Sequence, residues 1–225
     1  MTEIDIIIAA RNPGPFLVET LASVAAQTRL PKSVVVVDDG SDDDIVTESV
    51  AGFPTVTLIR QEPLGRSSAR NRGAAATDSD FLLFLDADDV LRSEALKVMA
   101  AALDADPARE MVHGHVFEFV DHRYPPPPGA RHRDAEVFLR LGGSTLLRRT
   151  LWSRVGGFNE QLFRGEWIDW ISRAQQKGAA TVHLDDIVLD RRLHAFNSAT
   201  PGDDDAHYLN VIRAALLRAR PERDQ

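Results

Sequence analysis

The sequence predicts an α/β domain built on a largely parallel sheet. Four short apolar runs, Ile4 to Ala10, Val34 to Val37, Val56 to Ile59 and Phe81 to Leu85, read as strands, the first two with the composition of strands buried on both faces. Segments of helical character separate them, which is the alternation expected of a parallel sheet. Three polar clusters, Ala10-Arg11-Asn12, Asp38-Asp39 and Asp86 to Asp89, each fall where a strand should end. Ligands of open α/β sheets bind beyond the carboxyl ends of the strands, so one crevice should collect all three clusters.

Each element has a local reason. Asn12-Pro13-Gly14-Pro15 breaks the first strand, and Phe16, Leu17, Thr20, Leu21 and Val24 then recur at helical spacing to about Gln27. Pro31 ends that helix, and the second strand stops at Asp38-Asp39-Gly40-Ser41. A polar helix is expected from Asp42 to Val50 and another from Ser67 to Ala76, on either side of the third strand. After Arg92 the pattern changes. Ser93 should cap a helix running to about Leu103 with Leu96, Met99, Ala100 and Leu103 on one face. Met111 to Val120 alternates as a longer strand, with His113 and His115 on one face and read as structural. Pro125 to Pro128 predicts an exposed stiff loop. Ser144 to Leu147, Thr181 to Leu184 and Ile187 to Leu189 are strand-like, and Trp167 to Gln176 is helical. Asp203-Asp204-Asp205 should open a last helix that buries Tyr208, Leu209, Ile212 and Leu216.

The 225 residues, 44% hydrophobic and 27% charged, can bury one sizeable core without staples. There are no cysteines, so a metal would have to be held by carboxylates, histidines, carbonyls or substrate phosphates. The net charge of −8 argues against a partner gripped through a nucleic-acid backbone. No apolar run reaches the roughly 18–20 residues that span a bilayer. The acidic start Met1-Thr2-Glu3-Ile4-Asp5 is unlike a signal peptide, and the expected location is cytoplasmic.

Asp86 and Asp88, one residue apart at a strand end, can converge on a hard cation that prefers oxygen ligands. A diphosphate would complete the shell, and the ion would offset charge on a leaving diphosphate. The same run also fits the first motif of haloacid dehalogenase-like phosphohydrolases, in which Asp86 would be the nucleophile and Asp88 the general acid. An acidic turn capping the next helix is the plain alternative.

The motifs in order resemble those of family 2 glycosyltransferases. They are Ala26-Gln27-Thr28 after the first helix, Asp38 to Ser41, and Gly65 with Ala69-Arg70-Asn71 and Gly73. Asp86 to Asp89 and Gly156-Gly157-Phe158-Asn159-Glu160 follow, and the resemblance runs from about Ile4 to Asn197. It implies a three-layer α/β fold of the GT-A type, with a Rossmann-like parallel first half and a mixed acceptor half. It also implies one domain over residues 1–225: about 1–92 for the nucleotide sugar, about 93–200 for the acceptor and about 203–220 for the final helix. The implied reaction is metal-assisted sugar transfer from a nucleotide diphosphate donor, commonly UDP-linked, with inversion. Mn²⁺ or Mg²⁺ would be the cofactor and the acceptor is open; a non-catalytic nucleotide-sugar binder is the rival of another class.

By that resemblance the donor contacts are Ala10, Arg11, Asp38, Asp39, Arg70, Asp86, Ala87 and Arg192, with Asp39 accepting from a base N–H. Asp38 or Asp39 could equally cap the segment after Gly40. The metal would be held by Asp88, Asp86 and His194, in a segment Arg191-Arg192-x-His194-x-x-Asn197. Trp167 and Gly143 are the expected acceptor contacts. The family's base lies in a Gly-Glu-Asp segment, and here Gly165-Glu166-Trp167-Ile168-Asp169 puts Trp in the place of that Asp. Glu166 and Asp169 are three apart and should share a helical face, with Asp169 favoured as the base and Glu166 its alternate.

Overall fold

The computed structural model describes residues 1–126, 134–196 and 205–218. Nine strands form one sheet among them, in the order β3-β2-β1-β4-β8-β6-β9-β5, with β7 beside β6. The first half comprises β1 (Ile4–Ala10), α1 (Phe16–Ala25), β2 (Ser33–Asp39), α2 (Ile45–Ala51), β3 (Val56–Gln61), α3 (Arg66–Ala75) and β4 (Phe81–Asp86). Its strands are all parallel, and Ala10, Asp38 and Arg60 lie side by side at their ends through the β1–β2 and β2–β3 registers.

The second half comprises β5 (Val90–Leu91), α4 (Ala95–Asp104), β6 (Met111–Val120), β7 (Ala135–Val137), β8 (Thr145–Arg148), α5 (Arg149–Val155), α6 (Glu166–Gln176), β9 (Thr181–Leu193) and α7 (Asp205–Arg218). Here β8 runs antiparallel to β4 and β6, and β9 runs parallel to β6. The sheet is therefore mixed in its second half, as expected.

Alternation along the strands builds three layers. Ile4, Ile6 and Ile8 face a core with Leu17, Leu21, Val46, Leu96 and Met99, from α1, α2 and α4. On the opposite face Ile7, Leu82 and Phe84 pack with Leu151, Trp170 and Ala174, from α5 and α6. Val35 and Val37 meet Ala69 of α3 there. Burial at about 25 cal/mol per Å² of apolar surface is the main favourable contribution to such a fold.

Several boundaries differ from expectation. The fourth helix starts at Ala95 and gains no side-chain cap; the Ser93 carbonyl instead accepts the Thr28 N–H. The two short runs expected at 181–184 and 187–189 are one strand, β9, whose pairing with β6 shifts register around His113 to Val116. In α7 Leu209 is exposed and Val211 is buried, so the inward face is rotated from the one expected. The side chains of Tyr208 and Leu216, and Pro127, Pro128, Asn197, Asp203 and Asp204, lie outside the described residues. Pro125 is exposed. No helix among the described residues is long and apolar enough to cross a membrane.

Candidate active site

The ends of β1, β2 and β4 open onto a cleft of about 200 Å³ lined by Ala9, Ala10, Arg11, Asn12, Pro13, Asp39, Arg66, Arg70, Asp86, Ala87, Asp88, His194 and Phe196. Backbone chemistry shapes its rim. The Asp38 carboxylate accepts the Ser41 N–H at 2.9 Å and closes the Asp-Asp-Gly-Ser turn. Gly40 adopts φ +72°, and a Cβ there would meet the Pro63 ring at 2.8 Å. Asn12 and Asp42 exchange two hydrogen bonds, at 2.8 and 2.9 Å, which fasten the loop after β1 to that turn.

Asp39 is buried beside the cleft. Its carboxylate accepts from Gln61 Nε2 at 2.8 Å, Leu64 N–H at 2.9 Å and Gly65 N–H at 2.9 Å. These bonds hold the start of α3, so Asp39 organises the loop that delivers Arg66 and Arg70. Asp38 points instead to Ser41 and Arg60 and does not line the cleft.

Arg70 is the electrostatic centre of the floor. Its guanidinium is buried, with Nη2 on Asp86 Oδ1 and Nη1 on Glu166 Oε1, both at 2.5 Å. Burial works to lower its pKa, but the Asp86 and Glu166 charges raise it further. Desolvation would raise the Asp86 pKa, yet the Arg70 and Arg66 charges outweigh it and hold that carboxyl below its usual range. Asp89 goes the other way: burial, reinforced by the Asp88 and Asp86 charges, pushes it well above the usual range.

The carboxylate oxygens of Asp86, Asp88 and Asp89 lie within 4.8 Å of one another. A hard divalent cation fits this donor set, because all its ligands would be oxygens and its charge would relieve the crowding that raises Asp89. His194 stands beside it, its ring tilted against that of Phe16 with centroids 4.3 Å apart. Its Nδ1 accepts the Phe196 N–H, so the neutral ring carries its proton on Nε2 and donates to Asp88 Oδ2 at 2.9 Å. In this arrangement His194 steadies Asp88 and offers no lone pair to a metal.

Besides Asp38, four residues expected at the site sit elsewhere, and Glu166 is joined to the cleft through Arg70 without lining it. Asp169 turns away from Glu166: it accepts from Arg173 Nε at 2.8 Å and from Arg218 of α7 at 2.7 Å. The two positions stay one turn apart on α6, but α7 packs on that helix and Arg218 takes the second carboxylate. Arg192 is sealed behind the acidic turn, bound to Asp121 and Glu19, and not in the cleft lining. Trp167 is 9% exposed, its ring edge-on to Phe84 and Phe158 in the core. Gly143 is buried against Leu85 and Leu189. Neither can stack on a sugar as placed. The cleft contains Asn12, as the clustering of polar strand ends predicts, and also Arg66, Pro13 and Phe196, which sequence reasoning missed. Arg66 follows the motif glycine directly and could have been found; nothing in the sequence singled out Phe196.

Residues 5–164 match the family described as glycosyl transferase family 2. An uncharacterized glycosyltransferase of Haemophilus influenzae is 27% identical over 188 residues, covering 79% of this chain and 64% of that protein. Chondroitin synthase of Escherichia coli is 25% identical over 226 residues, covering 96% of this chain and 33% of its own length. The chain thus spans between about a third and two-thirds of these relatives. Among solved structures, residues 1–349 of S. aureus TarS in complex with UDP-GlcNAc superpose with a TM-score of 0.72 at 22% identity, covering 96% of this chain and 66% of that one. At that identity the likeness establishes the GT-A fold and nothing finer. The family match takes in every element from β1 to α5, and with them the Asp38–Ser41, Arg70 and Asp86–Asp89 motifs. The chain belongs to glycosyl transferase family 2.

Proposed function

We propose that this chain transfers a sugar from a nucleoside diphosphate donor, UDP-linked, to a hydroxyl acceptor with inversion at the anomeric carbon. The observation that carries the reading is the convergence of Asp86, Asp88, Arg66 and Arg70 on one cleft that also holds Asp39. Ala10, Arg11 and Asp39 form the base end. Arg66 and Arg70 face the diphosphate, where planar guanidinium groups suit anionic oxygens. Mn²⁺ or Mg²⁺ held by Asp86 and Asp88 would supply positive charge to the departing diphosphate.

The acceptor oxygen bonds to the anomeric carbon as the carbon–oxygen bond to the diphosphate breaks, and Glu166 takes the hydroxyl proton. Glu166 is preferred to Asp169 because it is joined to the cleft floor through Arg70, whereas Asp169 is tied to Arg173 and Arg218. Glu166→Gln should therefore lower turnover at least a hundredfold with donor affinity kept. Asp169→Asn should lower the melting temperature and leave turnover within a few-fold. The reverse pattern would return the base to Asp169.

The family match leaves no support for the phosphohydrolase reading, and phosphate release from an aryl phosphate would revive it. A second reading, a non-catalytic nucleotide-sugar binder, is favoured by the buried Trp167 at the place of the usual Asp. A thermal-shift screen of nucleoside diphosphates and UDP-sugars with and without Mn²⁺, followed by NMR of the released sugar, separates the two. Metal-dependent donor hydrolysis that Asp88→Ala abolishes supports the transferase. Binding with no turnover on any acceptor, and no hydrolysis, supports the binder.

A further inference from the structure

We propose that Arg192 is the positioning residue of the acidic turn, setting Asp88 and Asp89 in place from behind; this rests on the metal reading of that turn. Four polar contacts and two rings fix its place. The Arg192 side chain is buried, its Nε donates to the Asp88 carbonyl at 2.9 Å, and its backbone N–H donates to Asp89 Oδ1 at 3.0 Å. Nη1 meets Asp121 Oδ2 and Nη2 meets Glu19 Oε2, each at 2.5 Å. Phe16 and Phe119 lie against the guanidinium, 4.9 and 5.1 Å from their ring centroids. Arg123 braces the same carboxylates, reaching Asp121 Oδ2 at 2.6 Å and Glu19 Oε1 at 2.8 Å.

One guanidinium therefore joins four parts of the fold: the turn after β4, helix α1, the end of β6 and strand β9. Its three contacts to the turn and the two carboxylates need a planar fork, which an ammonium group cannot reproduce. The consequence for the turn is specific. Asp88 is held at its carbonyl by Arg192 and at its carboxylate by His194. Asp89 is turned inward onto the β9 backbone, leaving Asp86 and Asp88 to line the cleft. Burying a cation with two anions is a poor route to stability but a good one to fixed geometry.

The test uses Arg192→Lys and Arg192→Met, with Asp88→Ala as the metal control and Asp121→Asn as a milder variant that leaves Arg192 in place. Two measurements are made on each: amide hydrogen exchange, and Mn²⁺ binding by titration in the presence of UDP. Both Arg192 variants should speed exchange across residues 86–91 at least tenfold while β1 and α4 exchange as in the parent. Both should weaken Mn²⁺ at least tenfold yet keep UDP binding in its absence, with Asp121→Asn intermediate. Unchanged exchange at 86–91, or a loss of protection spread evenly over the chain with UDP binding lost, overturns the proposal. If Mn²⁺ binding survives Arg192→Met but not Asp88→Ala, the positioning role alone fails. If it survives both, the metal reading fails and this role with it.

Discussion

Arg70 divides its charge between two carboxylates in different surroundings, and the difference can be measured. The Glu166 side chain is 6% exposed and that of Asp86 is 44% exposed. Arg70→Met removes the cation from both. Asp86 can then hydrate from the cleft, so its loss should cost little, as for exposed pairs at about 0–1 kcal/mol. Glu166 has far less access to water, and a largely uncompensated buried carboxylate costs about 3–5 kcal/mol. Arg66, 4.0 Å from Glu166, recovers part of this and sets the lower end of the range. For a chain of this length that corresponds to a fall in melting temperature of roughly 6–20 °C. The assay is a double-mutant cycle by urea unfolding. Adding Glu166→Gln to Arg70→Met should recover about 2 kcal/mol or more, whereas adding Asp86→Asn should recover less than about 1 kcal/mol. Equal recovery from the two would refute the assignment of the energetic cost to the buried end of the bridge.

Other perturbations follow from the same geometry. Gly142→Ala places a methyl group into the Phe84 carbonyl and the Trp167 indole, and should cost about 1–3 kcal/mol in urea unfolding. An unchanged midpoint would show that Trp167 can give way. Asp39→Asn removes a charged acceptor from the Leu64 and Gly65 N–H groups. It should destabilise by about 1–3 kcal/mol and weaken UDP binding, and retained affinity would separate the loop from the base end. His113 is buried, and its pKa is pushed down to about 3 by burial and by the Arg140 and His183 charges. Thr145 Oγ1 donates to Leu141, so His113 Nδ1 donates to Thr145 and Nε2 would gain a buried proton with no acceptor. The folded pKa lies below the unfolded one, so the unfolded chain binds more protons. Stability should fall as pH drops from about 6.5 towards 3, by up to about 1.4 kcal/mol per unit. His113→Gln should flatten that slope in pH-dependent thermal melts; an identical slope would mean that other groups set it.

The parallel half was legible because β1, β2 and β4 are buried on both faces and read as apolar runs, broken before their ends only by Asp5 in β1. The polar ends of those strands then located the cleft through topology alone. What escaped was set by partners distant in the chain. Asp169 and Glu166 look equivalent three residues apart, until α7 brings Arg218 to one and α3 brings Arg70 to the other. Arg192 has the composition of a phosphate ligand, and only the fold shows Glu19 and Asp121 already on its guanidinium. Strand β9 was split by Asp185 and Asp186, which sit where its pairing with β6 shifts register. The two residues of β5 are too few for any periodicity to register.

That two-residue strand has a consequence for how the molecule is made. Val90 and Leu91 pair with Asp190 and Leu189, and the Asp89 carboxylate waits for an N–H that lies 103 residues further along. The first four strands can assemble while the chain is still emerging, because all of them precede residue 87, but the β5–β9 pairing has to wait for residues near 190. The acidic turn is thus among the last parts to acquire its final form. A nascent or truncated chain that stops before β9 would carry a nearly complete crevice at the ends of β1, β2 and β4, whose acidic turn has nothing yet to set its shape.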